Sequence, residues 1–301
     1  MSERIIQRIR EASEPLLPRP VDCEPRVSAL PEIRAVLVDV YGTLLVSASG
    51  DIGSADASVR GRAAVDALGA VGMALDAPPE QVDESWTGVI AAEHARLRGA
   101  GIPYPEVDVR EIWPVVCQRI AEASSLSPIS ARRVDRLDWS QLAVEFEVRV
   151  NPVWPMPEAA ETLQRLADRG RVMGIVSNAQ FFTPLAWTAT AGKSLGECGV
   201  AASLRYYSYE HREAKPGRGL YQRAVAGLAE AGIAPSETLY VGNDMRNDIW
   251  PAAAVGFRTA LFAGDERSLR RRDETPRHER GPDPDVVITQ WPQILEVATD
   301  A

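Results

Sequence analysis

Apolar positions along this chain follow two rhythms that take turns. Short runs without polar alternation occur at Ala35-Val36-Leu37-Val38, Val172–Ser177, Leu239–Gly242, Arg258–Phe262 and Val286-Val287-Ile288. Runs of this length, rich in β-branched residues, predict strands covered on both faces, as in a parallel sheet. A further strand is expected near Ala202–Ser208. Between the runs, apolar residues return at three- and four-residue spacing, as in the helix Glu158 to Arg169, which Gly170 ends. Strand and helix in alternation predict an α/β fold with a doubly wound parallel sheet.

The alternation is interrupted once. Val59 to Met73, Pro79 to Gly99, Val109 to Ala123 and Val134 to Val148 each read as a helix with an apolar stripe. Parallel strands need a helical crossover, but this insertion exceeds an ordinary one and argues for a subdomain. The chain therefore divides into an arm (1–30), an α/β core (31–58 and 151–301) and a helical block (59–150). The arm reads as a short amphipathic helix with Ile5, Ile6 and Ile9 on one face. A connector containing Pro15, Pro18, Pro20 and Pro25 follows it. Ser47 to Ser58, small and polar, reads as a mobile flap beside a site, and residues 264–285, dense in charge and proline, as an exposed loop.

Composition narrows the partners. With 33 basic and 42 acidic residues in 301, the net charge of −9 disfavours nucleic acid and anionic membranes. A small anionic substrate remains compatible, because local fields at strand ends and helix N-termini can oppose the global charge. Cys23, Cys117 and Cys198 form no C-x-x-C pair and read as thiols in a reducing compartment. The start of the chain is charged and lacks the apolar segment of a signal peptide. Val172 to Gly192 carries no charge, yet Ser177, Asn178, Gln180 and Pro184 break it up, so a buried strand, loop and helix explain it better than a membrane span. The expected location is cytoplasmic.

The chemistry gathers at the ends of the strands. Asp39-Val40-Tyr41-Gly42-Thr43-Leu44 follows the first apolar run and delivers a carboxylate to the sheet edge where open α/β folds bind ligands. The run at Val172 ends in Ser177-Asn178, Lys215 precedes Pro216 at a helix start, and Thr238–Gly242 leads into Asn243-Asp244-Met245-Arg246-Asn247-Asp248. In this order and spacing, with a long insertion after the first, the four segments resemble the motifs of the haloacid dehalogenase superfamily of hydrolases. The resemblance spans residues 34 to 290. It implies a Rossmann-like core with a helical cap, and an Asp39 nucleophile that forms a covalent ester later cleaved by water. It further implies that Thr43, Ser177 and Asn178 hold the substrate, that Lys215 balances the charge of Asp39, and that an acidic loop binds Mg²⁺. The metal ligands would be Asp39, the Tyr41 main-chain carbonyl, Asp248, and Asn243 or Asp244, depending on the register of the loop.

Two positions depart from the phosphatase pattern. Phosphatases of the superfamily carry a second Asp two residues after the nucleophile, where this chain has Tyr41. A phenol, with a pKa of about 10, is a poor base for water at neutral pH. Tyr at this position looks like the 2-haloacid dehalogenases, whose halide leaves without a proton. The acidic pair Asp244 and Asp248 points the other way, toward a Mg²⁺-dependent phosphatase acting on a small phosphorylated metabolite. That phosphatase is the leading expectation. A metal-independent 2-haloacid dehalogenase and a low-turnover binding or regulatory protein that keeps the fold are the alternatives.

Overall fold

The computed structural model describes residues 2–30, 32–50, 55–73, 77–123 and 137–299. The chain opens with helix α1 (Ser2–Ala12), strand β1 (Ala35–Val38) and strand β2 (Leu45–Ser47). Helices α2 (Ala57–Ala70), α3 (Pro79–Gly99), α4 (Val109–Ala123) and α5 (Trp139–Val150) follow, then strand β3 (Val153–Pro155). From there strands and helices alternate: α6 (Ala159–Asp168), β4 (Val172–Ser177), α7 (Thr183–Ala191), β5 (Val200–Tyr207), the single turn α8 (Ser208–His211), α9 (Gly219–Glu230) and β6 (Thr238–Gly242). The chain closes with α10 (Trp250–Ala254), β7 (Arg258–Phe262), β8 (Val286–Ile288) and α11 (Ile294–Val297).

Six of the strands form one sheet in the order β5-β4-β1-β6-β7-β8, and every pairing in it is parallel. Strand β1 is buried throughout and central, with Val38 opposite Ile175 on one side and Val241 on the other. The winding reverses at β1, because β4 and β5 lie on one side of it and β6 to β8 on the other. Residue 39, the first past its end, therefore stands at the switch point of the sheet, between the ends of β4 and β6.

The helical block packs on itself through one aromatic from each of three helices. Trp86 of α3, Trp113 of α4 and Phe146 of α5 meet at centroid distances of 4.4, 5.2 and 5.2 Å. Three such side chains are each large enough to dominate a small core. A two-stranded antiparallel ribbon joins the block to the core, with Leu45 of β2 opposite Pro155 of β3 and Ser47 opposite Val153. Asn151 pins this hinge: its Oδ1 accepts from Ser47 Oγ at 2.7 Å and from the Ser49 amide at 3.3 Å.

The arm is docked at both ends. Ile5 and Ile9 of α1 are buried, and Arg8 makes a bidentate pair with Glu145 of α5 at 2.6 and 2.8 Å. Further on, Arg26 pairs antiparallel with Val287 of the outermost strand β8 (2.8 and 3.0 Å), and the Leu30 amide reaches Val297 O at 2.9 Å.

The helices expected at Pro79 to Gly99 and Val109 to Ala123 have those bounds in the structure. The helix expected from Val134 begins at Trp139 within the described residues, since residues 124–136 lie outside them; Asp138 caps it by accepting from the Ser140 and Gln141 amides. The strand expected to run to Ser208 ends at Tyr207, and Ser208 instead opens a helical turn. The loop expected to be exposed over 264–285 is so over most of 271–283, but its first part turns inward, with Asp265 and Ser268 each only 1% exposed. Asp265 is drawn inward by the Arg19 amide and the Arg267 side chain. Among the described residues, no helix is long and apolar enough to cross a membrane.

Candidate active site

Three charged side chains from remote parts of the chain meet at the carboxyl edge of the sheet. Lys215 Nζ donates to Asp39 Oδ1 at 2.7 Å and to Asp248 Oδ1 at 2.5 Å. Tyr240 lies beneath them, its hydroxyl donating to Val176 O at 2.8 Å and lying 3.1 Å from Asp248 Oδ1 and 3.3 Å from Lys215 Nζ. Asp39, Lys215 and Asp248 are 5%, 6% and 1% exposed. Burial lowers the Lys215 pKa, but the charges of Asp248 and Asp39 outweigh it and hold the ammonium well above its ordinary range. Burial pushes the Asp248 carboxyl up to about 6, with the Lys215 charge pulling against it. The result is two carboxylates bridged by one permanent cation.

Local chemistry fixes each participant. Gly42 turns the chain back at φ +77°, and a Cβ there would lie 2.5 Å from Ser268 Cβ and 2.7 Å from Asn243 Nδ2, so only glycine fits. The turn is pinned by Thr43, whose hydroxyl donates to Asn243 Oδ1 at 3.1 Å and whose carbonyl accepts from Trp291 Nε1 at 2.9 Å. Asn178 grips the main chain of Lys215 with both ends of its amide: Oδ1 accepts from the Lys215 N–H at 2.7 Å, and Nδ2 donates to its carbonyl at 3.3 Å. Ser177 is wholly buried beside it, with Oγ donating to Asn178 O at 3.2 Å.

The acidic loop splits its two carboxylates between different tasks. Asp248 Oδ2 accepts from the Asn243 and Asp244 amides at 3.0 and 2.9 Å, so both of its oxygens are engaged. Asp244 caps the π-helical turn Met245–Ile249, accepting from the Arg246 and Asn247 amides, and it also forms a bidentate pair with Arg272 at 3.0 and 2.5 Å. Asn243 binds Thr43 through its oxygen and Ser268 O through its nitrogen.

A Mg²⁺ ion between Asp39 and this loop would thus meet one carboxylate, the Tyr41 carbonyl and a neutral amide. Lys215 holds both Asp39 and Asp248, and Arg272 holds Asp244. Divalent magnesium is bound through one or two carboxylates together with waters and substrate phosphates, so this donor set lies at the low end of charge for it. Among the described residues, no group of three or more His, Cys, Asp or Glu side chains is arranged to hold a metal ion. Two of the acids expected to bind magnesium, Asp248 and Asp244, are instead paired with Lys215 and Arg272.

Tyr41 leaves the same turn as Asp39 but enters other surroundings. Its hydroxyl shares a 2.9 Å hydrogen bond with Thr183 Oγ1 at the start of α7. Behind it lies a cavity of about 20 Å³, room for a single water, lined mainly by apolar side chains together with Glu147 and Asn151. Burial raises the Glu147 carboxyl to about 7, against a slight opposing pull from its bond to Asn151 Nδ2.

The structure thus brings Asp39, Lys215 and Asp248 together, sets Asn178, Thr43 and Asn243 around them as braces, and places Tyr41 and Asp244 in separate contacts. Sequence reading missed Tyr240, Arg272 and Ser268. Tyr240 sits inside a strand run, where an aromatic reads as core, but a tyrosine three residues before the acidic loop is polar at its tip and was a usable signal. Arg272 carried none, because its partner lies across a loop.

A family model of haloacid dehalogenase-like hydrolases matches residues 33–256. This chain belongs to that family of hydrolases. The helical block lies in sequence between the first and second of the four motif segments. Among solved structures, the 2-haloacid dehalogenase from Pseudomonas syringae pv. Tomato is 18% identical over 88% of this chain and 97% of its own, with a TM-score of 0.55. The L-2-haloacid dehalogenase from Xanthobacter autotrophicus is 22% identical, covering 87% and 96%, with a TM-score of 0.44. A predicted phosphoglycolate phosphatase from Haemophilus somnus is 16% identical, covering 89% and 99%, with a TM-score of 0.46. A search of curated proteins finds no match. At such identities the likeness is one of fold, and the reaction has to be argued from the site.

Proposed function

We propose that this protein is a metal-independent hydrolase that uses Asp39 as its nucleophile. Its leaving group departs without a proton, the leading case being halide displaced from a small 2-haloacid. The observation that carries this reading is the bridging of Asp39 and Asp248 by Lys215, in a site where the other acid of the loop is held by Arg272. Tyr41 supports it: the position that would protonate an alkoxide holds a phenol bonded to Thr183.

In the first step an Asp39 carboxylate oxygen attacks the carbon bearing the halogen. A carbon–oxygen bond forms, and the halide leaves with the bonding pair, which requires no acid. In the second step water adds to the Asp39 ester carbonyl carbon. Lys215, 2.7 Å from Asp39 Oδ1, is placed to balance the developing oxyanion without reorganisation. The tetrahedral intermediate expels the product oxygen, which takes one of the water's protons; the other leaves as Asp39 ionises again. Asp248 keeps the ammonium aimed, and Asn178 keeps its main chain in place.

The test is halide release from 2-chloropropionate in excess EDTA, set beside p-nitrophenyl phosphate with Mg²⁺. Halide release indifferent to EDTA is the expected result. Mg²⁺-dependent phosphate release without halide release would return the phosphatase reading, and inactivity in both assays would favour the low-turnover binding protein.

A further inference from the structure

We propose that Gln180 is a positioning residue, clamping the cap segment Tyr104–Arg110, a loop and the first turn of α4, to the turn that holds Lys215, so that cap closure and ammonium placement are one event. Gln180 is 4% exposed and spends its whole amide on the cap. Nε2 donates to Val107 O at 2.7 Å, and Oε1 accepts from the Val109 amide at 3.1 Å. Two residues earlier in the same turn, Asn178 holds both main-chain polar groups of Lys215. Between them, the Ala179 amide donates to Ser208 Oγ at 2.9 Å, and that hydroxyl donates to Glu106 Oε2 of the cap loop at 2.9 Å. The turn continues into Thr183, which takes the Gln180 amide (3.1 Å) and meets Tyr41.

A second set of contacts attaches the same loop to the other approach to Lys215. The Ala214 amide donates to Tyr104 O at 2.8 Å, and the Glu106 amide to Arg212 O at 3.0 Å. Arg110, paired with Asp108, lies over the Phe181 ring at 4.7 Å and the Tyr209 ring at 5.6 Å. The loop thus touches the residue just before Lys215 as well as the turn that grips it. With Asp39 and Lys215 almost wholly buried, substrate entry requires the cap to move, and moving this loop breaks contacts on both sides of the lysine. Of these, the Gln180 clamp is a pair of side-chain bonds and can be removed without altering main-chain pairing.

The proposal rests on the preceding functional reading only in giving Lys215 its role; the coupling can be measured without a substrate. In hydrogen–deuterium exchange on the full chain, Gln180→Ala is expected to speed exchange at Val109, which loses its acceptor. It is also expected to speed exchange at Ala214 and Lys215 roughly tenfold, the worth of one hydrogen bond, while leaving Val38 and Val241 in the sheet unchanged. Gln180→Glu supplies the second arm and remains available should the alanine variant not fold. Its carboxylate can accept from Val109 but cannot donate to Val107 O, whereas the protonated acid does both. The ionisable groups on the gripped segment, Glu106, Asp108 and Arg110, are common to variant and parent, so the ratio of their Lys215 exchange rates isolates residue 180. That ratio should fall toward one between pH 8 and pH 5, and the variant's rate of halide release from 2-chloropropionate, relative to the parent, should recover with it. Faster exchange at Val109 with Lys215 unchanged, or a ratio independent of pH, would overturn the coupling. Altered exchange with no halide release from the parent would leave the clamp standing and sink the dehalogenase assignment alone.

Discussion

Asp39 and Tyr41 stand two residues apart on one turn, yet the regions they enter follow opposite rules. On the Asp39 side every charge has a counter-charge at hydrogen-bond distance: Lys215 between Asp39 and Asp248, and Arg272 on Asp244. On the Tyr41 side the groups are neutral or driven toward neutrality, with a phenol on a hydroxyl and a glutamate whose carboxyl burial lifts to about 7. Placing ions in a dry interior costs more than their attraction returns unless pairing and hydrogen bonding are complete. The difference shows where the molecule retains charge at that cost, and the nucleophile lies in that region.

The sharpest break in the comparison is at the nucleophile itself. Asp39→Asn keeps an oxygen for Lys215 but cannot attack, so hydrolysis should fall by at least about a thousandfold, as when a covalent nucleophile is lost. Steady-state kinetics on freshly prepared protein, before deamidation can restore the acid, would check this; activity within a few-fold of the parent would remove Asp39 from its role.

Removing the cation should do nearly as much damage to stability. Lys215→Met leaves two buried carboxylates without their bridge, a loss of about 3–5 kcal/mol for a broken buried pair. The loss should be smaller at pH 5 than at pH 8, because one carboxyl can then take up a proton. Urea unfolding at the two pH values reads both quantities. An equal loss at each would mean that the carboxylates do not feel one another.

On the neutral side the effect is milder and runs in the other direction with pH. The Glu147 pKa is raised on folding from 4.5 to about 7, so the native state binds the proton more tightly than the unfolded chain. Its contribution is present in full below the unfolded value and is lost as pH rises through about 7. Glu147→Gln should therefore be nearly neutral at pH 5 and stabilising by about 1–2 kcal/mol at pH 8.5, allowing for partial solvent contact. Identical pH dependence in both proteins would show that Glu147 ionises freely.

The smallest expected change, and the one that would blur the two regions, is a gain of metal binding. Asn243→Asp with Arg272→Ala adds one carboxylate beside Asp39 and frees another. Calorimetric titration should then detect weak Mg²⁺ binding that exceeds any shown by the parent. Equal binding by both would show that the neutral amide and the Arg272 pair are not what limits the site.

Much of this arrangement was legible in the chain because it depends on local pattern. Uninterrupted apolar runs marked the strands, and the bounds of α3 and α4 followed from apolar spacing with Pro79 at the start of one and paired arginines near its end. That Lys215 would stand beside Asp39, and Asp248 near both, was implied by the family resemblance; that Lys215 would bridge the two acids was not foreseen. Strands β2 and β3 were not legible, since three residues carry no periodicity and their partners lie on opposite sides of the cap in sequence. Arg272 and Gln180 were hidden for a related reason. Each sits in a loop, and a loop residue's partner is set by where the rest of the chain places it.

The short pairing of Arg26 with Val287 has a consequence for how molecules of this protein meet one another. Strand β8 ends the sheet, and an outermost strand offers a row of open donors and acceptors that another chain can adopt as a template. Here the arm occupies part of that row itself, with both main-chain groups of Arg26 satisfied by Val287. The arm thus acts as a built-in plug at the middle residue of that strand, shortening the open row from which edge-to-edge stacking could start.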